Sequence, residues 1–128
     1  MTGEDGTLYA QLGEAAGVRR LAQRFYAIMS ESPQAAGVRA MHTGDFDTAA
    51  EKLTAFLIAW SGGPRDYFDR SEAPGLMRLH RALAITADER DQWLWCMRRA
   101  LSECEASPRT AAQMMATFTR IAEAMRTL

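Results

Sequence analysis

Apolar residues recur at steps of three and four positions along most of this chain, which is the spacing of an amphipathic helix. Such runs occupy residues 18–29, 53–60, 93–101 and 114–125. No stretch alternates between apolar and polar residues for long enough to indicate a strand. The pattern therefore predicts an all-α fold in which these helices bury their apolar faces against one another.

Polar residues with the chemistry of helix caps mark the starts of the two late helices. Thr86, followed by Glu89 three positions later, has the form of a capping box, in which each side chain binds a backbone N–H at the other position. Ser107 offers an N-cap, and Pro108 suits the first helical position because its missing N–H would have no partner there. We expect one helix to begin after Thr86 and the next after Ser107.

The second predicted helix has two candidate starts. Asp47 or Thr48 can accept the first free N–H groups, with Glu51 in the first turn. Gly62-Gly63-Pro64 is expected to end the helix, because glycine suits a C-cap and proline cannot continue it. Residues 65–75 carry no long periodic run, which indicates a loop with a short helix after it.

Length and composition are those of one globular domain, so we treat residues 1–128 as a single domain with a flexible extension over residues 1–7. The chain has 15 basic and 16 acidic residues, a formal net charge of -1, and no cluster of Lys and Arg that would bind nucleic acid. No apolar run is long enough to span a bilayer, and the polar, acidic start is unlike a secretory signal. We therefore expect a cytoplasmic protein without nucleic-acid or membrane partners.

The sequence carries none of the common motifs of hydrolases, nucleotide-binding proteins or zinc proteins. Cys96 and Cys104 are eight positions apart in one predicted helix, roughly 12 Å, which is too far for a disulfide within that helix. Their spacing is not that of a zinc knuckle, and no His-Glu-x-x-His run is present. Both thiols are predicted to be buried or half-buried small hydrophobes.

The chain has only two histidines, His42 and His80. His80 lies in the mostly apolar segment 76–85. An imidazole nitrogen that faces an apolar pocket is what a five-coordinate haem iron requires. A half-buried histidine bonded to a backbone carbonyl would have the same surroundings, so the residues by themselves leave both interpretations open.

Five short motifs, in a fixed order between Leu8 and Met97, resemble those of group II truncated haemoglobins. They are Leu8-Tyr9-x-x-Leu12-Gly13, Arg24-Phe25-Tyr26, Phe56-Leu57-x-x-Trp60-x-Gly62-Gly63-Pro64-x-x-Tyr67, His80, and Glu89-Arg90-Asp91-x-Trp93-Leu94-x-Cys96-Met97. The last thirty residues match only as an amphipathic helix. The resemblance implies a two-over-two helical sandwich, a shortened globin, that encloses one b-type haem (iron protoporphyrin IX).

The resemblance also implies roles for individual residues. His80 corresponds to the proximal ligand of the iron. On the distal side, Tyr26 and Trp93 correspond to hydrogen-bond donors, and Ala49 corresponds to the gate position that holds histidine in vertebrate globins. His42 either lines the distal pocket or binds the iron itself when no other ligand is present. The remaining haem contacts implied by the resemblance are Leu53, one helical turn beyond Ala49, together with Phe56 and Tyr67.

The residues that hold the haem propionates depart in part from the family pattern. Lys52 corresponds to a basic residue that can pair with a propionate. Many relatives carry Gly-His-Pro and then Leu-Arg-x-Arg-His around the proximal ligand, whereas this chain has Glu72-Ala73-Pro74 and Leu76-Met77-Arg78-Leu79-His80. Arg78 or Arg81 is left to reach the propionates, and the spacing does not decide between them.

These roles together predict a haem protein that binds dioxygen, nitric oxide and carbon monoxide in a polar distal pocket. Two alternatives remain open at the level of sequence. One is a globin-shaped interaction module without a cofactor. The other is a haem enzyme whose main role is nitric-oxide dioxygenase or peroxidase chemistry, with an unidentified reductant. The sequence is compatible with a monomer and with a homodimer.

Overall fold

A computed structural model of the chain describes residues 7–42, 45–63 and 85–125. Within these ranges the protein is helical and contains no strand, so the all-α prediction is confirmed there. Each of the four predicted amphipathic runs lies within one of the long helices. The elements are α1 (Leu8–Leu12), α2 (Glu14–Glu31), a 3-10 turn (Pro33–Ala35), α3 (Ala36–Ala40), α4 (Phe46–Trp60), α5 (Ala87–Glu103) and α6 (Pro108–Met125).

The core forms around α2, which packs against both α4 and α5, while α6 packs against α5. The apolar positions that predicted helix α2 are those that face inward, and Val18, Leu21, Phe25 and Met29 are at most 1 % exposed. Burying a large apolar side chain of this kind stabilises the fold by about 1.5–3 kcal/mol relative to its exposed state. None of the described helices is long and apolar enough to cross a membrane.

The two late helices begin where the capping residues predict. Thr86 and Glu89 form a complete capping box at the start of α5, and the Thr86 N–H donates to the Glu89 carboxylate over 2.9 Å. At the start of α6, the Ser107 hydroxyl accepts the N–H of Thr110 over 3.1 Å, and Pro108 is the first helical residue. Both predictions are confirmed.

The predicted start of α4 at Asp47 or Thr48 is wrong, because Asp45 is the N-cap. Asp45 has an extended backbone, and its carboxylate accepts both the N–H of Thr48 at 2.7 Å and the Thr48 hydroxyl at 3.1 Å. These bonds hold the pKa of the Asp45 carboxyl below its usual value. Thr48 is thus the residue that the cap binds, and Asp47 is the acidic residue of the first turn. Glu51 instead pairs with Arg19 of α2.

Helix α4 ends at Trp60, in agreement with the glycine signal. Gly62 has a φ of 111°, the left-handed conformation that glycine adopts without a steric cost. The N–H of Gly63 then donates to the Ile58 carbonyl over 2.8 Å, the long-range bond of a Schellman motif. A Cβ at Gly63 would lie 2.6 Å from ring carbons of Tyr9, so glycine also lets α1 approach this end of α4. Pro64 and the predicted loop over residues 65–75 lie outside the described residues.

Two short helices, α1 and α3, were not predicted, because five residues are too few to show a helical period. Thr7 caps α1 by accepting the Ala10 N–H over 3.1 Å, and residues 1–6 of the expected extension lie outside the described ranges.

The two cysteines do not share one helix as predicted. Cys96 is buried in α5, whereas Cys104 is the C-cap, one residue beyond the end of that helix. Both cysteines are free thiols.

Candidate functional site

Three aromatic rings meet between the end of α3, the start of α4 and the middle of α2. The ring centroid of Tyr26 lies 5.6 Å from that of His42 and 5.4 Å from that of Phe46. His42 and Phe46 are themselves 5.5 Å apart and nearly perpendicular. The contacts of His42 with both other rings are edge-to-face, a favourable geometry because the positive edge of one ring meets the negative face of the other. The fold therefore brings together two residues that the sequence assigns to the distal pocket.

The Tyr26 hydroxyl is a hydrogen-bond donor without a partner among the described residues. Burial raises the pKa of Tyr26 to about 12, so the hydroxyl keeps its hydrogen at neutral pH. No completely enclosed side-chain nitrogen or oxygen among the described residues lacks a partner, so this hydroxyl borders accessible space. A polar group in this position gains most from a ligand that accepts its hydrogen.

His42 has one ring nitrogen fixed by the backbone. Its Nδ1 lies 3.0 Å from the Val38 carbonyl oxygen. A carbonyl oxygen only accepts, so Nδ1 must carry the hydrogen and donate it. In the neutral imidazole the other nitrogen, Nε2, then has its lone pair free, and can bind a metal or accept a hydrogen bond.

Helix α4 carries four of the predicted site residues on one face. Ala49, Lys52, Leu53 and Phe56 are spaced by three and four positions, so their side chains lie above one another along the helix. Ala49, Leu53 and Phe56 are only partly buried, and Lys52 is exposed. The core-facing side of the same helix is occupied by other residues, namely Ala50, Thr54 and Leu57.

Trp93 approaches the site from α5. Its ring centroid lies 5.0 Å from that of Phe25 and 5.5 Å from that of Phe118. Phe25 in turn lies 4.8 Å from Tyr26, so this buried ring links the two predicted donors. Trp93 is partly buried, and no described residue accepts a hydrogen bond from its indole N–H.

Sequence reasoning missed Phe46 as a member of the site. The feature of the sequence that points to Phe46 is its position at the start of α4, four residues after His42. Three other predicted site residues, Tyr67, Arg78 and the proposed proximal ligand His80, lie outside the described residues.

A family model and a curated relative match this chain. The model of the bacterial-like globins matches residues 7–127. A group 2 truncated haemoglobin of Bacillus subtilis (strain 168) is 29% identical over 93 residues, which cover 73% of this chain and 67% of the relative.

Solved structures agree over nearly the whole length of the chain. The group II 2-on-2 haemoglobin of the plant pathogen Agrobacterium tumefaciens is 36% identical, with a TM-score of 0.90 over 99% of this chain and 98% of that one. The cold-adapted truncated haemoglobin of the Antarctic marine bacterium Pseudoalteromonas haloplanktis TAC125 is 31% identical, with a TM-score of 0.89 over 95% of this chain and 98% of that one. The chain therefore belongs to the bacterial-like globins and, among them, to the group II truncated haemoglobins, a family that binds haem and, through it, diatomic gases.

Proposed function

We propose that this protein binds dioxygen, nitric oxide and carbon monoxide at the iron of one b-type haem, with His80 as the proximal ligand. Tyr26, His42 and Trp93 line the distal side. The observation that carries the proposal is the Tyr26 hydroxyl, a protonated donor that borders accessible space and has no partner among the described residues. A donor of this kind fits a small ligand that carries partial negative charge.

The described side chains fit a large, flat and mainly apolar cofactor. Leu53 and Phe56 on α4 and Trp93 on α5 are apolar or aromatic residues that pack against the core yet stay partly exposed. Tyr26 and His42 add polar groups beside them. A few polar groups within an apolar lining are typical of cofactor sites.

A bound haem would supply the iron atom that binds the gas. This chain's own residues hold the ring and tune the ligand. We assign the apolar contacts to Leu53, Phe56, Trp93 and Tyr67, with Ala49 as the small gate residue. Lys52 is exposed on the same face of α4, which suits an ion pair with a propionate at the rim of the pocket. Arg78 or Arg81 is assigned to the second propionate.

Tyr26 and Trp93 set how long the ligand stays. Each buried donor strengthens ligand retention by about 1 kcal/mol, which corresponds to several-fold slower release. Slow release suits sensing or chemistry better than bulk oxygen delivery. Turnover of nitric oxide or peroxide would also require electrons from a reductant, and no feature of the described residues favours that role over ligand binding.

Replacement of Tyr26 by phenylalanine is expected to speed dioxygen release about five-fold, because the ring stays and the donor is lost. Since the pKa of Tyr26 is raised from 10.0 to about 12, the hydroxyl keeps its proton at pH 10. The ratio of the two release rates should therefore be the same at neutral pH and at pH 10, and should shrink only as the pH approaches 12. Stopped-flow displacement of dioxygen measures both rates. Tyr9→Phe, on the ring that packs over Gly63, is the matched control.

The proposed role of Tyr26 is rejected if Tyr26→Phe, like the control Tyr9→Phe, releases dioxygen at the wild-type rate. A ratio that already falls between neutral pH and pH 10 would show that the hydroxyl ionises in that range, which contradicts the effect of burial on its pKa.

His42 is expected to bind the iron of the ferric protein when no gas is present. Its Nδ1–H is bonded to Val38, which leaves the Nε2 lone pair to coordinate the metal. Ala49, at the gate, is too small to block this approach. The ferric spectrum at neutral pH should be low-spin, and His42→Ala should convert it to a high-spin, water-ligated form. A high-spin wild-type spectrum that His42→Ala leaves unchanged would restrict His42 to the pocket wall.

A further inference from the structure

Helix α3 is capped by a residue from another helix. Its N-cap position holds Ala35, which has no polar side chain to bind the free N–H groups of the first turn. The Val38 N–H instead donates to Oε1 of Gln92 on α5 over 2.8 Å, across 54 positions of sequence. In a helix of only five residues, this bond satisfies one of the few free N–H groups of the first turn.

Gly37 makes room for this cap. A Cβ at position 37 would lie 2.9 Å from Oε1 of Gln92, closer than real Cβ contacts come, and 3.1 Å from its Nε2, so the Gln92 amide would have to move. The Glu89 carboxylate is nearby, at 3.3 Å from that Cβ position, but it is bound to Thr86 in the capping box. Gln92 is therefore the side chain of α5 that binds this turn of α3.

The residue that Gln92 holds is also the one that orients His42. Gln92 accepts from the Val38 N–H, and the Val38 carbonyl accepts from His42 Nδ1 over 3.0 Å. Loss of the first bond loosens the turn that presents the carbonyl, and leaves Arg39, which donates to the Met29 and Ser32 carbonyls, as the tie of α3 to the preceding chain. His42 would then lose the group that fixes its tautomer, and Nε2 would carry the hydrogen in part of the population.

We propose that Gln92 is a positioning residue for His42: by capping α3 at Val38 it keeps the imidazole in the tautomer whose Nε2 lone pair is free. This inference rests on the proposed function for the value of that lone pair at the haem. Helix α5 would then contribute to the distal pocket through two adjacent residues: Trp93 directly, and Gln92 through its effect on His42.

Nuclear magnetic resonance of the ¹⁵N-labelled full chain tests the proposal in its reduced, carbon-monoxide-bound form, which is diamagnetic. The ring nitrogen shifts of His42 report its tautomer, and hydrogen exchange of the Val38 amide reports the cap. Gln92→Met should speed Val38 exchange about five-fold and produce both tautomers of His42. Gln92→Glu retains an acceptor and should restore the single tautomer. Gln113→Met, the same change at an exposed position of α6, should have no effect.

Gly37→Ala separates positioning from helix stability. Alanine favours a helix more than glycine does, yet its Cβ displaces the Gln92 amide. It should therefore behave like Gln92→Met, and it decides the outcome if Gln92→Met fails to fold. The proposal is overturned if His42 keeps one tautomer in both variants, or if Gln92→Glu loses it as fully as Gln92→Met. The Soret band of each sample reports the proposed function separately, since a haem-binding failure would remove that band in the wild type as well.

Discussion

Replacement of His80 by glycine is expected to yield a protein that loses most of its haem on purification. The proposed bond from His80 to the iron is the one permanent covalent tie between protein and cofactor, and hydrophobic contacts alone would have to hold the ring in the variant. Added imidazole should restore a wild-type-like spectrum, because it fits the space that the side chain leaves and supplies the same nitrogen ligand. The haem-to-protein absorbance ratio, with and without imidazole, measures both effects.

The matched control is His42→Gly, which removes the other histidine of the chain. This variant should retain its haem, since His42 is assigned to the distal side and the proximal bond stays intact. A His80→Gly protein with wild-type haem content and an unchanged spectrum would reject His80 as the proximal ligand. A loss of haem in His42→Gly alone would reverse the two assignments.

Replacement of Trp93 by phenylalanine is expected to speed dioxygen release about ten-fold. Phenylalanine keeps an aromatic ring between Phe25 and Phe118, at centroid distances of 5.0 and 5.5 Å in the native protein, and removes the indole N–H. The free energy of the lost hydrogen bond to the ligand is expected at the upper end of the range for neutral groups, because water has little access to this partly buried site and does not replace the bond. The release rate is measured by displacement with carbon monoxide.

Trp95→Phe provides the control on the same helix. Trp95 is also partly buried, but its ring lies under Arg99, whose guanidinium carbon is 5.5 Å from the ring centroid. This variant should release dioxygen at the wild-type rate. Equal rates for Trp93→Phe and the wild type would mean that Trp93 only packs in the core.

The long helices of this fold could be predicted from sequence because their signals are local. The apolar residues that predict α2 lie within that helix. The capping box at Thr86 lies at the start of α5, and the glycines that end α4 directly follow it. The start of α4 was misplaced for the same local reason: Asp45, Asp47 and Thr48 are all good N-caps, and only the backbone conformation shows that Asp45 acts as one. Helix α3 could not be predicted, because its cap comes from Gln92, 54 positions away.

The candidate site depended on different information. Tyr26 and Trp93 have the pattern of ordinary core aromatics, and only the family resemblance marked them as donors. The structure adds that the Tyr26 hydroxyl has no partner among the described residues and that His42 is tied to Val38. Neither fact follows from spacing, since both arise where α2, α3 and α4 converge.

The absorption spectrum of the purified protein, produced in cells supplied with a haem precursor, is the direct test of haem binding. Globin chemistry with a histidine-ligated b-type haem predicts an intense Soret band equivalent to one haem per chain, which shifts on reduction and again on addition of carbon monoxide. A folded, helical protein that shows no Soret band, even after incubation with haemin, would rule out the proposed haem site and favour a globin-shaped interaction module without a cofactor.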